Sequence, residues 1–160
     1  MKENVTIRPA RADEAGIVLQ FIRMLAEYEQ RLNQVEATEE MLRQALFERH
    51  EAHVVFAEHD GIIVGFALYF FNFSTFVGRK GLYLEDLFVL PEQRGKGFGI
   101  ALLRHLATEA SKQGCGRMEW VCLDWNQPSI DFYLSLHASP MTDWTVYRLD
   151  KQGIKDLAQK

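Results

Sequence analysis

Two carboxylates stand side by side at Glu85-Asp86, and eight residues after Asp86 the segment Arg94-Gly95-Lys96-Gly97-Phe98-Gly99 begins. The two features can handle protons and anions. A carboxylate accepts a proton or pairs with a cation. A glycine-rich turn that opens a helix presents free N–H groups and the positive end of the helix dipole, a combination that binds phosphate. Gly95, Gly97 and Gly99 let the backbone take positive φ and come close to a ligand, and Arg94 and Lys96 add positive charge. The P-loop pattern is absent, and G-x-G-x-x-G fails because Leu102 stands where its last glycine belongs. Farther along, Asn126 and Ser129 precede Tyr133, whose phenol can donate a proton.

These residues need elements to position them. Val5–Pro9 alternates as a first strand, and Asp13 is placed to cap a helix through Ile17, Val18, Phe21, Ile22 and Leu25. Tyr28 and Glu29 fall at its far end. Thr38 starts a second helix through Phe47. His53–Ala57 leads into Asp60-Gly61, a hairpin signal, and Ile62–Phe71 returns as a buried strand. Leu82–Leu90 is a strand carrying Glu85 and Asp86, which alternation sends to opposite faces. A helix follows the glycine loop through Ala110, then a strand at Met118–Leu123 and a helix at Pro128–Leu136. A last strand spans Thr145–Leu149, and Asp150 caps a short terminal helix. The order predicts one α/β (α+β) domain over residues 1–160, with helices covering a mixed sheet.

Composition excludes other classes. With 160 residues, 48% apolar and 25% charged, the chain is neither disordered nor a rod. The nearly apolar run from Ile62 to Phe71 is too short to cross a bilayer. Met1-Lys2-Glu3-Asn4 lacks the apolar stretch of a secretory signal, so a cytoplasmic location is expected. A net charge of −4 argues against nucleic acid and is compatible with a cationic small molecule. Cys115 and Cys122 read as ordinary thiols of a reducing compartment. His50, His53 and His59 lack metal-site spacing, so no metal is expected.

R-x-x-G-x-G, as Arg94, Gly97 and Gly99, resembles the pyrophosphate-binding motif of the GCN5-related N-acetyltransferases, which use acetyl-CoA. The stretch Tyr83–Val89 resembles that family's fourth strand. N-x-x-S-x-x-F-Y, from Asn126 to Tyr133, resembles its later strand–helix segment. Leu25–Glu29, Val64–Ala67 and Tyr83–Asp86 resemble the spermidine/spermine, diamine and thialysine branch. The resemblance implies a mostly antiparallel sheet of about six to seven strands, splayed between the fourth and fifth. It implies an N-acetyltransferase acting on a small cationic amine, paired as a homodimer through its C-terminal strands.

By the same resemblance, Glu85 is the general base, acting through a water, and Tyr133 is the general acid toward the CoA sulfur. Asp86 anchors the substrate cation. Leu87, Phe88 and Val89 flank a bulge whose N–H groups meet the acetyl carbonyl and the pantetheine arm. Arg94–Gly99, Asn126 and Ser129 hold the rest of the cofactor. Tyr28, Glu29, Phe76 and Trp144 wall the amine pocket. The chain departs from the branch at Phe76, where tryptophan is common, at Thr142, where an acid is expected, at Leu134 and Leu136, where basic residues are common, and at His137, in place of a glycine. A protein or peptide N-acetyltransferase and a non-catalytic acyl-CoA-binding module remain the alternatives.

Overall fold

Asp60 and Gly61 both adopt positive φ, 52° and 77°. They form the two-residue turn that the sequence announces, with His59 facing Ile62 across it. The computed structural model describes residues 4–160. Of the N-terminal stretch read for a secretory signal, Met1, Lys2 and Glu3 lie outside the described residues. The turn joins β2 (His53–His59) to β3 (Ile62–Ser74). β1 (Val5–Pro9) pairs antiparallel with β2, and β3 with β4 (Arg79–Val89). The fifth strand, β5 (Met118–Glu119), runs parallel to β4 after the helix crossover. Among the described residues the sheet has five strands in the order β1-β2-β3-β4-β5, fewer than the six to seven expected.

The shortfall has two sources. The strand read over Met118–Leu123 keeps a ladder only where Leu82 faces Met118 and Tyr83 faces Glu119. Thr145–Leu149 forms no strand at all, because no other segment of the chain pairs with it among the described residues. Val146, Tyr147 and Leu149 are all exposed there.

Helix α1 (Ala15–Tyr28) covers one face of the sheet. Its Val18 and Phe21 pack with Leu46, Val54, Phe56, Phe66, Leu68 and Phe88. Helix α3 (Phe98–Lys112) lies against β1 to β4, with Leu102 and Leu106 fully buried. Thr38 caps α2 (Glu39–Arg43), its Oγ1 accepting from the Met41 N–H at 3.2 Å. The rest of the predicted second helix, Gln44–Glu48, winds as a wider π turn. No helix among the described residues is long and apolar enough to cross a membrane.

Asp13 does not cap α1. It sits inside a short 3₁₀ turn, Ala12–Glu14, and the first residue before the helix is Glu14. Glu14 is buried and held by Arg8, whose two terminal nitrogens donate to its two oxygens at 2.8 and 2.7 Å. The Arg11 N–H adds a third bond at 2.8 Å, and Arg8 Nε reaches Glu58 at 2.8 Å. The Arg8 guanidinium and the Arg11 N–H hold the Glu14 carboxyl well below its usual range, at about 2. A folded-state value below the unfolded one stabilises the fold above about pH 4.5, and that contribution fades as pH falls toward 2. Glu14→Gln is therefore expected to cost about 3 kcal/mol at pH 7. The difference from wild type should shrink on acidification. Thermal melts at pH 7 and pH 3 check this, and an equal deficit at both would refute it.

The chain forms two compact units, residues 4–121 and Cys122–Lys160. In the second, Asn126 begins α4 (Gln127–Ser135) and Asp150 begins α5 (Lys151–Ala158). The Asp150 carboxylate accepts from the Gly153 N–H at 2.8 Å.

Candidate functional site

The pairing of β3 with β4 slips by one residue at the point where the two carboxylates lie. Leu68 faces Asp86 and the next residue, Tyr69, faces Leu84, so Glu85 has no partner and forms a β-bulge. The bulge was expected between Leu87 and Val89, and the register places it at Glu85 instead. It also overturns the alternation argument. Phe66, Leu68 and Phe88 pack with α1, so Asp86, opposite Leu68 and two residues before Phe88, faces α1 as well. Tyr83 is opposite Phe70, with ring centroids 5.1 Å apart, on that same face. Glu85 follows Tyr83 by two. One extra residue thus turns both carboxylates toward α1.

The C-terminal end of α1 supplies the third acid. Glu29 is its C-cap, half-buried, and Tyr28 is the last helical residue. Burial pushes the Glu29 carboxyl up, the Arg31 charge partly offsets this, and the negative charge of Glu85 adds to the rise. Asp86 is pushed up further, to about 7, first by burial and then by the charges of Glu85 and Glu29. Three carboxylates and the negative end of a helix dipole concentrate negative potential on one spot. Such a spot favours a cation, and Tyr28 offers a π face beside it. Among the described residues, no three His, Cys, Asp or Glu side chains are placed to hold a metal ion.

The same strand runs on into the anion end. β4's ladder to β5 stops at Tyr83, so the rest of its edge on that side is not paired with β5. After Val89 the chain turns through Pro91–Gln93 into the glycine loop. Gly95 and Gly97 take φ of 76° and 90°, and Gly97 is the N-cap of α3. A Cβ at Gly95 would meet nothing within 4 Å, and one at Gly97 only Ile100 Cγ2 at 3.9 Å. The loop is therefore open to solvent, and Phe98, buried beside the His59 ring, anchors its far side. Lys96 is exposed, its ammonium bonded to Gln93 at 3.0 Å. An open αL turn capping a 15-residue helix fits a pyrophosphate. Arg94 points elsewhere: its Nε donates to the Val89 carbonyl at 3.0 Å, and its guanidinium lies 4.9 Å from the Tyr28 ring centroid and 5.1 Å from that of Phe88.

The first unit thus brings together Tyr28, Glu29, Glu85 and Asp86, and carries Leu87, Phe88, Val89 and the loop on one strand and its continuation. Phe76 is not among them. It sits on the turn between β3 and β4 and is 84% exposed, so it walls nothing within this unit. In the second unit, Asn126 is buried, and its carbonyl oxygen accepts from the Ser129 N–H at 3.4 Å, capping α4. Tyr133 lies on α4 with its ring 5.6 Å from that of Phe132. His137 has φ 64°, the left-handed conformation that ends α4 and that glycine adopts most easily. Trp144 is 70% exposed on the segment before α5. The bulge at Glu85 is what the sequence reading missed: Leu84-Glu85-Asp86 carries no glycine or proline to mark it.

Comparison with known proteins agrees in direction. A profile described as the acetyltransferase (GNAT) family matches residues 19–138. The chain is 37% identical to a thialysine N-epsilon-acetyltransferase of Bos taurus, over 98% of each chain. It is 32% identical to the enzyme of the same name from Caenorhabditis elegans, over 99% of this chain and 98% of that one. Among solved structures, an integron cassette protein from the mobile metagenome of Vibrio cholerae superposes with a TM-score of 0.78 at 30% identity, over 98% of each chain.

Proposed function

The chain belongs to the acetyltransferase (GNAT) family, and from that premise we propose that its substrate is a short diamine or a thialysine-like amino acid, acetylated on a side-chain amine. The protein is an N-acetyltransferase that uses acetyl-CoA and a small amine. What carries the finer reading is the convergence of Glu29, at the end of α1 beside Tyr28, with Glu85 and Asp86 on the strand that leads into the glycine loop. The relatives named for thialysine, similar over nearly the full chain, support the same class.

A primary amine has pKa about 10 and is mostly ammonium at neutral pH. It binds as a cation and reacts as a free base, so the site must attract the charge and then remove a proton. Asp86 and Glu29 anchor the ammonium groups, beside Tyr28. Glu85, exposed at the bulge, accepts the proton through water. Acetyl-CoA supplies the activated acyl group, its pyrophosphate held by the backbone of Arg94–Gly99 and its arm by Leu87–Val89; in the second unit the family resemblance assigns Asn126 and Ser129 to the cofactor as well. Tyr133 donates a proton to the departing thiolate, which leaves as the thiol.

Both compact units serve one acetyltransferase domain, a reading supported by a family match that runs from residue 19 to 138 across their boundary. The protein works as a homodimer. Met141, Trp144, Val146, Tyr147 and Leu149 are exposed on a segment patterned as a strand but unpaired within the described residues. A second copy supplies the missing partner, and Phe76 and Trp144 join the amine pocket in that assembly. Nucleic acid and membrane have no part in the activity. Cys115 is a free thiol, as a reducing, cytoplasmic location would have it.

Release of free CoA is the test, with acetyl-CoA and a panel of putrescine, spermidine, spermine, thialysine, lysine and peptides. Turnover is expected with thialysine or putrescine ahead of spermine and peptides, lowered at least tenfold by Glu85→Gln and by Tyr133→Phe. Preference for peptides, or indifference to both substitutions, would sink the reading.

A further inference from the structure

We propose that Arg94 is a positioning residue for the amine side of the site: from within the cofactor loop, it clamps the C-terminal end of α1 to the end of β4. The inference rests on the proposed function for what the two ends bind, but the clamp itself is geometric. Arg94 is the first residue of the glycine segment, where a guanidinium would serve as a phosphate ligand. Instead its Nε is tied to the Val89 carbonyl at 3.0 Å, at the last residue of β4. The planar group then lies over two rings, 4.9 Å from the Tyr28 centroid and 5.1 Å from the Phe88 centroid. Phe88 is buried in the core that α1 covers, while Tyr28 is the last residue of α1 and only half-buried. One side chain therefore spans a fixed ring and a peripheral one.

What the clamp holds is the part of α1 that most needs holding. The helix ends at Tyr28 without a glycine, and Gln30 beyond it takes φ of 60°. The Glu29, Gln30 and Arg31 N–H groups close the turn on Leu25, Glu27 and Ala26 at 2.9, 3.0 and 2.7 Å. Tyr28 and Glu29, two of the residues assigned to the amine, ride on this terminus. A helix end frays unless something packs on it. Arg94 packs on it from the loop that takes the pyrophosphate. Ordering that loop with acetyl-CoA then favours the arrangement of Tyr28 and Glu29 that receives the amine, and by linkage the amine favours the cofactor to the same degree.

Lysine cannot replace this function. It keeps the charge but has neither the Nε donor nor the flat face that stacks. Arg94→Lys and Arg94→Gln are both expected to raise the amine KM about tenfold, while the dissociation constant for acetyl-CoA changes less than threefold. Amide hydrogen exchange at Glu29, Gln30 and Arg31 of the free protein should quicken about tenfold in both variants. Tyr28→Leu should raise the amine KM similarly, and adding Arg94→Gln to it should cost little more, because the two substitutions remove one contact.

Several outcomes overturn the proposal. In one, acetyl-CoA affinity falls tenfold or more with the amine KM unmoved, making the guanidinium a phosphate ligand. In another, Arg94→Lys behaves as wild type, so that charge alone matters. Unchanged exchange at residues 29–31 would also overturn it. The exchange experiment needs no substrate. If the amine panel fails while exchange responds to Arg94, the functional reading falls and the clamp stands.

Discussion

Asp86→Asn is expected to make the protein more stable and nearly inactive. The two effects have one cause. Asp86 sits beside Glu85 and Glu29, part-buried, with its carboxyl raised to about 7. A folded-state value above the ordinary carboxylate value means that the native protein holds a proton the unfolded chain releases. Stability therefore falls as pH rises from about 4 to 7, and the whole penalty remains above 7. Asparagine carries no such penalty. Discounted for the solvent that still reaches this position, the gain at pH 8 is about 2 kcal/mol, or about 4–8 °C in Tm. The loss is larger: removing the carboxylate that pairs with a desolvated ammonium lowers kcat/KM for the amine by about 10²- to 10³-fold.

The pH profile separates anchoring from mere packing. A cationic amine binds the ionised form of Asp86, so its affinity should rise about tenfold per pH unit up to about 7 and level off above. In Asp86→Asn that limb should vanish, while the acetyl-CoA affinity changes little. Calorimetric titration across pH 5.5–8.5 and a melt at pH 8 check both halves. A variant that is less stable than wild type, or that keeps the limb, would remove Asp86 from the anchoring role.

The residues gathered around Asp86 were legible in the sequence, but their arrangement was not. Alternation assumes an unbroken period of two, and it sent Glu85 and Asp86 to opposite faces. The bulge exists only as a mismatch between strands: two consecutive residues of β3 face residues of β4 that are two apart. Nothing inside Leu84-Glu85-Asp86 records it. By contrast, Asp60-Gly61 and the glycine loop were readable because their backbone conformations demand particular residue types, and the φ values are of the kind demanded. The caps divide in the same way. Thr38 and Asp150 bond the third residue after themselves, which their side chains do locally. Asp13 does not, because Glu14 next to it has a better use, a two-pronged bond to Arg8 that spans the chain from β1. Thr145–Leu149 has strand composition but needs a partner, and composition says nothing about whether the partner lies in the same chain.

Gly97→Ala is expected to weaken acetyl-CoA binding about 10²-fold while leaving the fold in place. The added methyl meets no atom closer than Ile100 Cγ2 at 3.9 Å, so packing is not disturbed. Two effects remain. The first is conformational. Gly97 holds φ at 90°, outside what an L-residue accepts comfortably, and alanine there costs about 1–2 kcal/mol or shifts the turn. Gly97 is the N-cap of α3, and its carbonyl accepts from the Ala101 N–H at 3.1 Å. A shifted turn therefore re-aims the N–H groups of the first helical residues, the ones proposed to meet the pyrophosphate. The second effect is steric on the ligand side. The space around Gly97 is open, and a methyl there would fill room proposed for the phosphate. Gly95→Ala has the same positive φ, 76°, and the same open surroundings, but lies two residues before the N-cap. It should pay the conformational cost while leaving the helix N-terminus in place, so a deficit nearer tenfold is expected. Equilibrium binding of acetyl-CoA to the two variants, with a melt of each, separates strain from ligand exclusion. Equal and small losses in both would mean that the glycines serve only the turn. A loss confined to Gly97 would place the anion at the start of α3.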